Sequence, residues 1–109
     1  MNSPAPITLF VVDDHPVVRQ GLVALLGAEP DIEVVGQAAD GADAVDLVVS
    51  LRPSVVIMDL RMPVMDGAAA TAAIRERWPE AAVLVLTTYD TDEAIVRAVE
   101  AGASGYLLK

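Results

Sequence analysis

Two apolar runs that end directly in carboxylates constrain this chain more than any other feature. The run 55–58 is followed by Asp59, and the run 7–12 is followed by Asp13 and Asp14. Short runs of this kind, rich in β-branched residues, are typical of strands buried on both faces in a parallel sheet. In open α/β sheets ligands bind beyond the carboxyl ends of the strands, so these acids stand where a functional site is expected.

The rest of the sequence alternates strand patterns with helix patterns. Further strands are predicted at 32–38, 82–86 and 105–108, and the second strand is polar enough to favour a sheet edge. Helices are predicted from Pro16 to Gly27, from Gly41 to just before Pro53, roughly over 67–78, and from a capping box of Asp90 and Glu93 to Gly102. With right-handed crossovers, this order predicts a doubly wound parallel sheet of five strands.

The first predicted helix carries the apolar stripe of an amphipathic helix. Its members recur at helical spacing and are Val18, Leu22, Leu25 and Leu26. Residues 1–6 hold two prolines and a serine and are predicted to be a leader, so the single domain is expected to span residues 7–109.

Composition and charge exclude several classes of function. The chain has 16 acidic against 7 basic residues and a formal net charge of −9, whereas direct nucleic-acid binding needs a basic surface. It has no cysteine, which excludes disulfides, thiolate metal sites and thiolate nucleophiles. No apolar run is long enough to span a bilayer, and no signal peptide is apparent. We therefore expect a cytoplasmic protein without membrane contact.

Residues at the ends of parallel strands should converge on one edge of the sheet. The predicted strand ends carry Asp13, Asp14, Asp59, Thr87 and Lys109. Three neighbouring carboxylates repel one another unless a cation lies among them, and Mg²⁺ prefers a few carboxylates together with water. A lysine and a hydroxyl beside a metal-bound carboxylate have the parts of a phosphoryl-transfer site.

This set of residues resembles the receiver domains of response regulators in two-component signalling. The matching positions are Asp13-Asp14, Asp59, Met62-Pro63, Asp66-Gly67, Thr87, Tyr106 and Lys109. Residues 14–22 are similar to the NarL/FixJ (LuxR-type) subgroup, whose receivers usually precede a helix-turn-helix DNA-binding domain. The resemblance covers residues 7–109. It implies a flavodoxin-like fold with strand order 2-1-3-4-5, truncated after the fifth strand and lacking the family's last helix.

The resemblance also implies a phospho-acceptor switch rather than an enzyme. Asp59 would accept a phosphoryl group from a phosphohistidine of a sensor histidine kinase. Asp13 and Asp14 would hold Mg²⁺, together with Asp59 and the main-chain carbonyl of Arg61. The domain would assist its own phosphorylation and dephosphorylation.

The remaining implied roles concern signalling from the site. Lys109 and Thr87 would bind phosphate oxygens, and Thr87 would move together with Tyr106 to report the modified state. DNA would be contacted only through a C-terminal domain absent from this sequence. A homodimer is expected, formed on phosphorylation or through the sheet face that the missing helix would cover.

Two alternative functions remain open on the residues alone. A haloacid-dehalogenase-type phosphatase also uses a strand-end aspartate with Mg²⁺, but it needs a second acid two residues later, where this chain has Arg61. A flavodoxin-like nucleotide binder needs a glycine- or hydroxyl-rich loop after the first strand, where this chain has two acids. His15, the only histidine, could serve as a base or a metal ligand, but it is expected to be a surface residue at a helix start. Asp66 is expected to be a turn and helix-cap residue.

Overall fold

Five strands alternate with four helices in the computed structural model, which describes residues 5–87 and 92–108. The strands are β1 (Ile7–Val12), β2 (Ile32–Ala38), β3 (Val55–Asp59), β4 (Val83–Thr87) and β5 (Gly105–Leu108). The helices are α1 (Pro16–Gly27), α2 (Gly41–Leu51), α3 (Gly67–Arg77) and α4 (Asp92–Glu100). The predicted order of elements is therefore confirmed.

The strands form one parallel sheet in the order β2-β1-β3-β4-β5. This is the order that the resemblance implied, and β2 lies at an edge as its polar sequence predicted. Val12 of β1 is opposite Met58 of β3, and Asp59 of β3 is opposite Leu86 of β4. The carboxyl ends of the three central strands consequently lie side by side.

The buried core lies on the sheet face covered by α2, α3 and α4. Its largest fully buried members include Phe10, Met58 and Ile74, and burying each such side chain contributes roughly 1.5–3 kcal/mol. Small residues at the helix–sheet contacts let the helices approach the sheet closely; these are Ala44, Ala68, Ala70 and Ala98. Residues of β1, β3 and β4 thus belong to one packed core next to their carboxyl ends.

Helix α1 forms as predicted, and its apolar stripe is only partly covered. Leu22 and Leu26 are half-buried, whereas Val18 is 39% and Leu25 68% exposed. Among the described elements, β1 and β2 are the ones against which this helix packs closely. Helical periodicity shows which side of a helix is apolar, but it does not show how much of that side another element covers.

The helix ends differ slightly from the prediction. Helix α2 ends at Leu51, where Arg52 adopts a left-handed conformation with φ of 49°. Helix α3 ends at Arg77, and Trp78 follows as its C-cap. Asp90, the predicted cap of α4, lies outside the described residues. Within residues 5–87 and 92–108, none of the helices has the length and apolar character needed to cross a membrane.

Candidate functional site

Asp13 and Asp59 are buried side by side at one edge of the sheet. They follow Val12 and Met58, which are paired in the register of β1 and β3. Their exposed fractions are only 1% and 4%. One carboxylate oxygen each from Asp13, Asp14 and Asp59, and one ring nitrogen of His15, all lie within 4.8 Å of one another. The structure therefore brings the three predicted acids together and adds a histidine.

Helix α1 and strand β2 hold the main chain of Asp13 in place. Its amide donates to the carbonyl of Ala38 at 3.2 Å. Its carbonyl accepts a hydrogen bond at 2.9 Å from Nη1 of Arg19, whose Nε donates to Oε1 of Gln37, also at 2.9 Å. The sequence pattern gave no sign of this role for Arg19, because the group that it binds is a main-chain oxygen.

His15 lies against the acids instead of pointing away from them. Its imidazole is 67% exposed, as expected of a surface residue, yet Nδ1 lies 3.1 Å from Oδ1 of Asp14 and 3.5 Å from Oδ1 of Asp13. Its main-chain amide also donates to Oδ1 of Asp13 at 2.9 Å. The following Pro16 favours the extended backbone seen here, with φ of −89° and ψ of 111°. That proline was the one sequence signal that could have suggested a fixed position for the ring.

One carboxylate oxygen in this cluster lacks a hydrogen bond. Oδ1 of Asp14 is buried and accepts none from the described part of the chain. Leaving such an oxygen buried without a partner costs free energy, and a bound cation removes that cost. Three carboxylates close together also form the oxygen donor set that hard divalent ions take. The residues of the cluster therefore fit Mg²⁺.

The loop from β3 to α3 is anchored on both sides of Arg61. Leu60 and Met62 are buried while Arg61 is exposed, so the two flanking side chains fix the main chain between them. The amide of Gly67 donates to the carbonyl of Leu60 at 2.9 Å and closes the loop. Val64 is fully exposed and has a φ of 68°, which a β-branched residue rarely adopts.

Asp66 joins this loop to two helices. Its Oδ1 accepts from the amide of Ala69 at 2.8 Å, which confirms the predicted cap at the start of α3. Its Oδ2 lies 3.1 Å from Nη2 of Arg97 on α4. The segment that follows Asp59 is thus tied to α4 by an ion pair that the sequence did not reveal.

The other predicted site residues are described in part. Thr87 ends β4 one residue beyond Leu86, the partner of Asp59, so its main chain lies at the same edge as the acids. Tyr106 of β5 is opposite Val85, and its side chain is 49% exposed. Lys109 lies outside the described residues.

Comparison with known proteins defines the class. Residues 9–109 match the response regulator receiver domain family, and the chain belongs to that family. It is 46% identical over 103 residues to the DNA-binding transcriptional activator DevR/DosR of Mycobacterium tuberculosis, a match that covers 94% of this chain and 48% of the relative. The chain therefore spans about half the length of this curated relative.

Solved structures agree with this assignment. A LuxR-family two-component response regulator from Aurantimonas sp. SI85-9A1 superimposes with a TM-score of 0.91 at 38% identity, covering 96% of this chain and 75% of that one. The receiver domain of RcsB from Salmonella enterica serovar Typhimurium, solved in the presence of the phosphomimetic BeF3⁻, gives a TM-score of 0.84 at 26% identity. That match covers 95% of this chain and 78% of the other.

Proposed function

We propose that this receiver domain takes a phosphoryl group from a sensor histidine kinase onto Asp59, with Mg²⁺ as cofactor. The observation that carries the proposal is the burial of Asp59 at 4% exposure with carboxylate oxygens of Asp13 and Asp14 within 4.8 Å. The phosphomimetic used with the related RcsB receiver supports the same chemistry.

In the proposed reaction a carboxylate oxygen of Asp59 attacks the phosphorus of a phosphohistidine. The new O–P bond forms as the P–N bond breaks, and the electron pair of the broken bond returns to the leaving imidazole nitrogen. Mg²⁺, when bound, supplies positive charge that stabilises the phosphoryl oxygens. The domain acts as a switch because the acyl phosphate stays on its own side chain.

Each residue around Asp59 has one proposed task. Asp13 and Asp14 hold the metal together with Asp59 and the main-chain carbonyl of Arg61. The anchored loop supports the last of these ligands, since the buried Leu60 and Met62 flank Arg61. The cluster lies at the carboxyl ends of the strands, and its partly exposed members Asp14 and His15 mark the side from which a phosphoryl donor would approach Asp59.

Two further residues are proposed to bind the phosphoryl oxygens, and one to report the change. Lys109 and Thr87 bind the oxygens, and Thr87 moves with Tyr106 to alter the surface of α4 and β5. The register supports this arrangement, because Thr87 lies one residue beyond the partner of Asp59, and Tyr106 lies on the neighbouring strand.

The proposed output is transcription regulation through a DNA-binding domain outside this chain. The relative DevR/DosR is a DNA-binding transcriptional activator, and the matched region makes up 48% of it. The net charge of −9 also argues that this domain itself does not contact DNA. We place the protein in the cytoplasm, away from the membrane, and propose that phosphorylation favours a homodimer.

A phosphorylation assay tests the central assignment. The untagged chain is incubated with acetyl phosphate and Mg²⁺, and its intact mass is measured. We expect one phosphoryl group on the parent protein, none on Asp59→Asn, and none when Mg²⁺ is chelated. Asp31→Asn, at an exposed position between α1 and β2, should behave as the parent does. Equal phosphorylation of Asp59→Asn and the parent would contradict the proposal.

A further inference from the structure

The position of His15 suggests a metal ligand beyond the carboxylates. It is the only histidine of the chain, and one of its ring nitrogens shares the cluster with oxygens of Asp13, Asp14 and Asp59; Nδ1 is the nitrogen near Asp13 and Asp14. We propose that Nδ1 of His15 coordinates a divalent transition ion bound among the acids, so that the site also takes ions for which imidazole is a good ligand, such as Ni²⁺ and Zn²⁺. This inference rests on the metal site of the proposed function.

The distances around His15 match those between ligands of one ion. Two ligand atoms at right angles, each about 2.1 Å from an ion, are about 3.0 Å apart, and at a tetrahedral angle about 3.4 Å apart. Nδ1 of His15 is 3.1 Å from Oδ1 of Asp14 and 3.5 Å from Oδ1 of Asp13. The ring nitrogen therefore already stands at ligand spacing from two carboxylates.

A hydrogen bond does not account for the short contact. Oδ1 of Asp14 accepts no hydrogen bond from the described residues although Nδ1 of His15 is 3.1 Å away, so the ring N–H is not aimed at it. The remaining explanation is an ion pair with an imidazole that is 67% exposed, and an ion pair with so exposed a partner contributes little free energy. An ion shared by both groups instead satisfies the buried oxygen and the ring nitrogen together.

The main chain of His15 is already fixed near the acids, so coordination of an ion by its ring would cost little backbone entropy. The amide of His15 is fixed by its hydrogen bond to Asp13, and Pro16 restricts the residue to extended conformations. The ring is 67% exposed, so it can approach an ion without repacking the core. The residue is positioned by contacts that a substituted side chain would keep.

Replacing the imidazole should lower the affinity for transition ions more than the affinity for Mg²⁺. Imidazole suits later first-row ions, whereas Mg²⁺ prefers oxygen. We expect His15→Gln to weaken Ni²⁺ and Zn²⁺ binding about tenfold or more, and to leave Mg²⁺ binding within about twofold. Calorimetric titration of the untagged chain with each metal salt measures both effects.

Pulsed electron paramagnetic resonance of the Mn²⁺-loaded chain tests the nitrogen contact directly. The chain has one histidine, so any hyperfine coupling between Mn²⁺ and an imidazole nitrogen must come from His15. Growth with nitrogen-15 histidine should change this coupling. We expect this coupling in the parent and its loss in His15→Gln. Asp14→Asn is the control: it removes a carboxylate ligand and should therefore lower the affinity for Mn²⁺.

The outcomes separate this inference from the proposed function. Mn²⁺ binding without an isotope-sensitive nitrogen coupling, while Asp59 is still phosphorylated with Mg²⁺, would overturn the role of His15 alone. Equal Ni²⁺ and Zn²⁺ affinities in parent and His15→Gln would do the same. Absence of any divalent binding to the parent would overturn both this inference and the metal site of the proposed function.

Discussion

Arg19 of α1 donates a hydrogen bond to the main-chain carbonyl of Asp13, with 2.9 Å between Nη1 and the oxygen. The same guanidinium binds Gln37 of β2 through Nε, so one side chain fixes the loop that presents the acids. We expect Arg19→Gln to weaken Mn²⁺ binding about tenfold, because groups that orient metal ligands are typically worth 10–100-fold in affinity. Calorimetric titration measures the change.

Arg75 provides a matched control for this prediction. It also donates from Nη1 to a main-chain carbonyl, that of Ala81, at 2.9 Å, but at the opposite end of the strands. Arg75→Gln should leave Mn²⁺ affinity unchanged. Tighter Mn²⁺ binding by Arg19→Gln would show that Arg19 acts mainly by repelling the ion, and it would contradict the positioning role.

Gly67 allows α3 to begin directly against the main chain of Asp59. A Cβ at this position would overlap the carbonyl oxygen of Asp59 and lie 2.8 Å from Cα of Leu60. Gly67→Ala should therefore lower the free energy of unfolding by about 1–3 kcal/mol, the usual cost of overpacking, and should also slow phosphorylation of Asp59. Denaturant titration and the acetyl phosphate assay measure the two effects.

Gly21 is the control for the glycine prediction. It lies inside α1, and a Cβ there would meet nothing within 4 Å. Gly21→Ala should stabilise the protein by about 0.5–1 kcal/mol, because alanine favours helix more than glycine does. If Gly67→Ala were as stable and as readily phosphorylated as the parent, the close contact with Asp59 would not be needed.

Asp66 is expected to stabilise the fold more through its helix cap than through its ion pair with Arg97. The paired side chains are 33% and 56% exposed, so the ion pair should contribute no more than about 1 kcal/mol and should weaken in high salt. Asp66→Asn keeps a capping oxygen and should match Arg97→Gln in stability. Asp66→Ala should lower the free energy of unfolding by about a further 1 kcal/mol, because the cap is lost as well. Thermal melts at two salt concentrations measure these stabilities. Equal melting temperatures for all three variants would contradict the ranking.

The sheet face opposite the core is expected to promote self-association. Leu107 of β5 is 53% exposed and lies opposite the half-buried Leu86, on the face that α2, α3 and α4 do not cover. Light scattering should show concentration-dependent association of the chain, and Leu107→Lys should reduce it. Leu47→Lys, at a position of α2 that is 42% exposed, is the control. A parent chain that stays monomeric at all concentrations would contradict the prediction.

The acids of the site could be predicted because topology alone brings them together. Asp13 and Asp59 each follow a buried strand, and the carboxyl ends of neighbouring parallel strands must meet. The same strand patterns predicted the sheet order once the resemblance was added. Short continuous apolar runs in the strands, and the proline and glycine boundaries of the helices, carry this information in the sequence.

Other parts of the site depend on contacts that leave no pattern. Arg19 binds a main-chain carbonyl, and any residue could have supplied that oxygen. The turn of His15 toward Asp14 depends on the backbone before Pro16, not on spacing. The exposure of Leu25 could not be predicted because the apolar stripe of α1 does not record what covers it.

The most direct measurement identifies the residue that carries the phosphoryl group. After reaction with acetyl phosphate and Mg²⁺, borohydride reduces an aspartyl phosphate to homoserine, and peptide mass spectrometry locates the converted residue. We expect conversion of Asp59 alone, at a level that falls sharply in Asp13→Asn and Asp14→Asn because the metal ligands are lost. Conversion at another aspartate, or conversion of Asp59 that does not depend on Mg²⁺, would contradict this expectation.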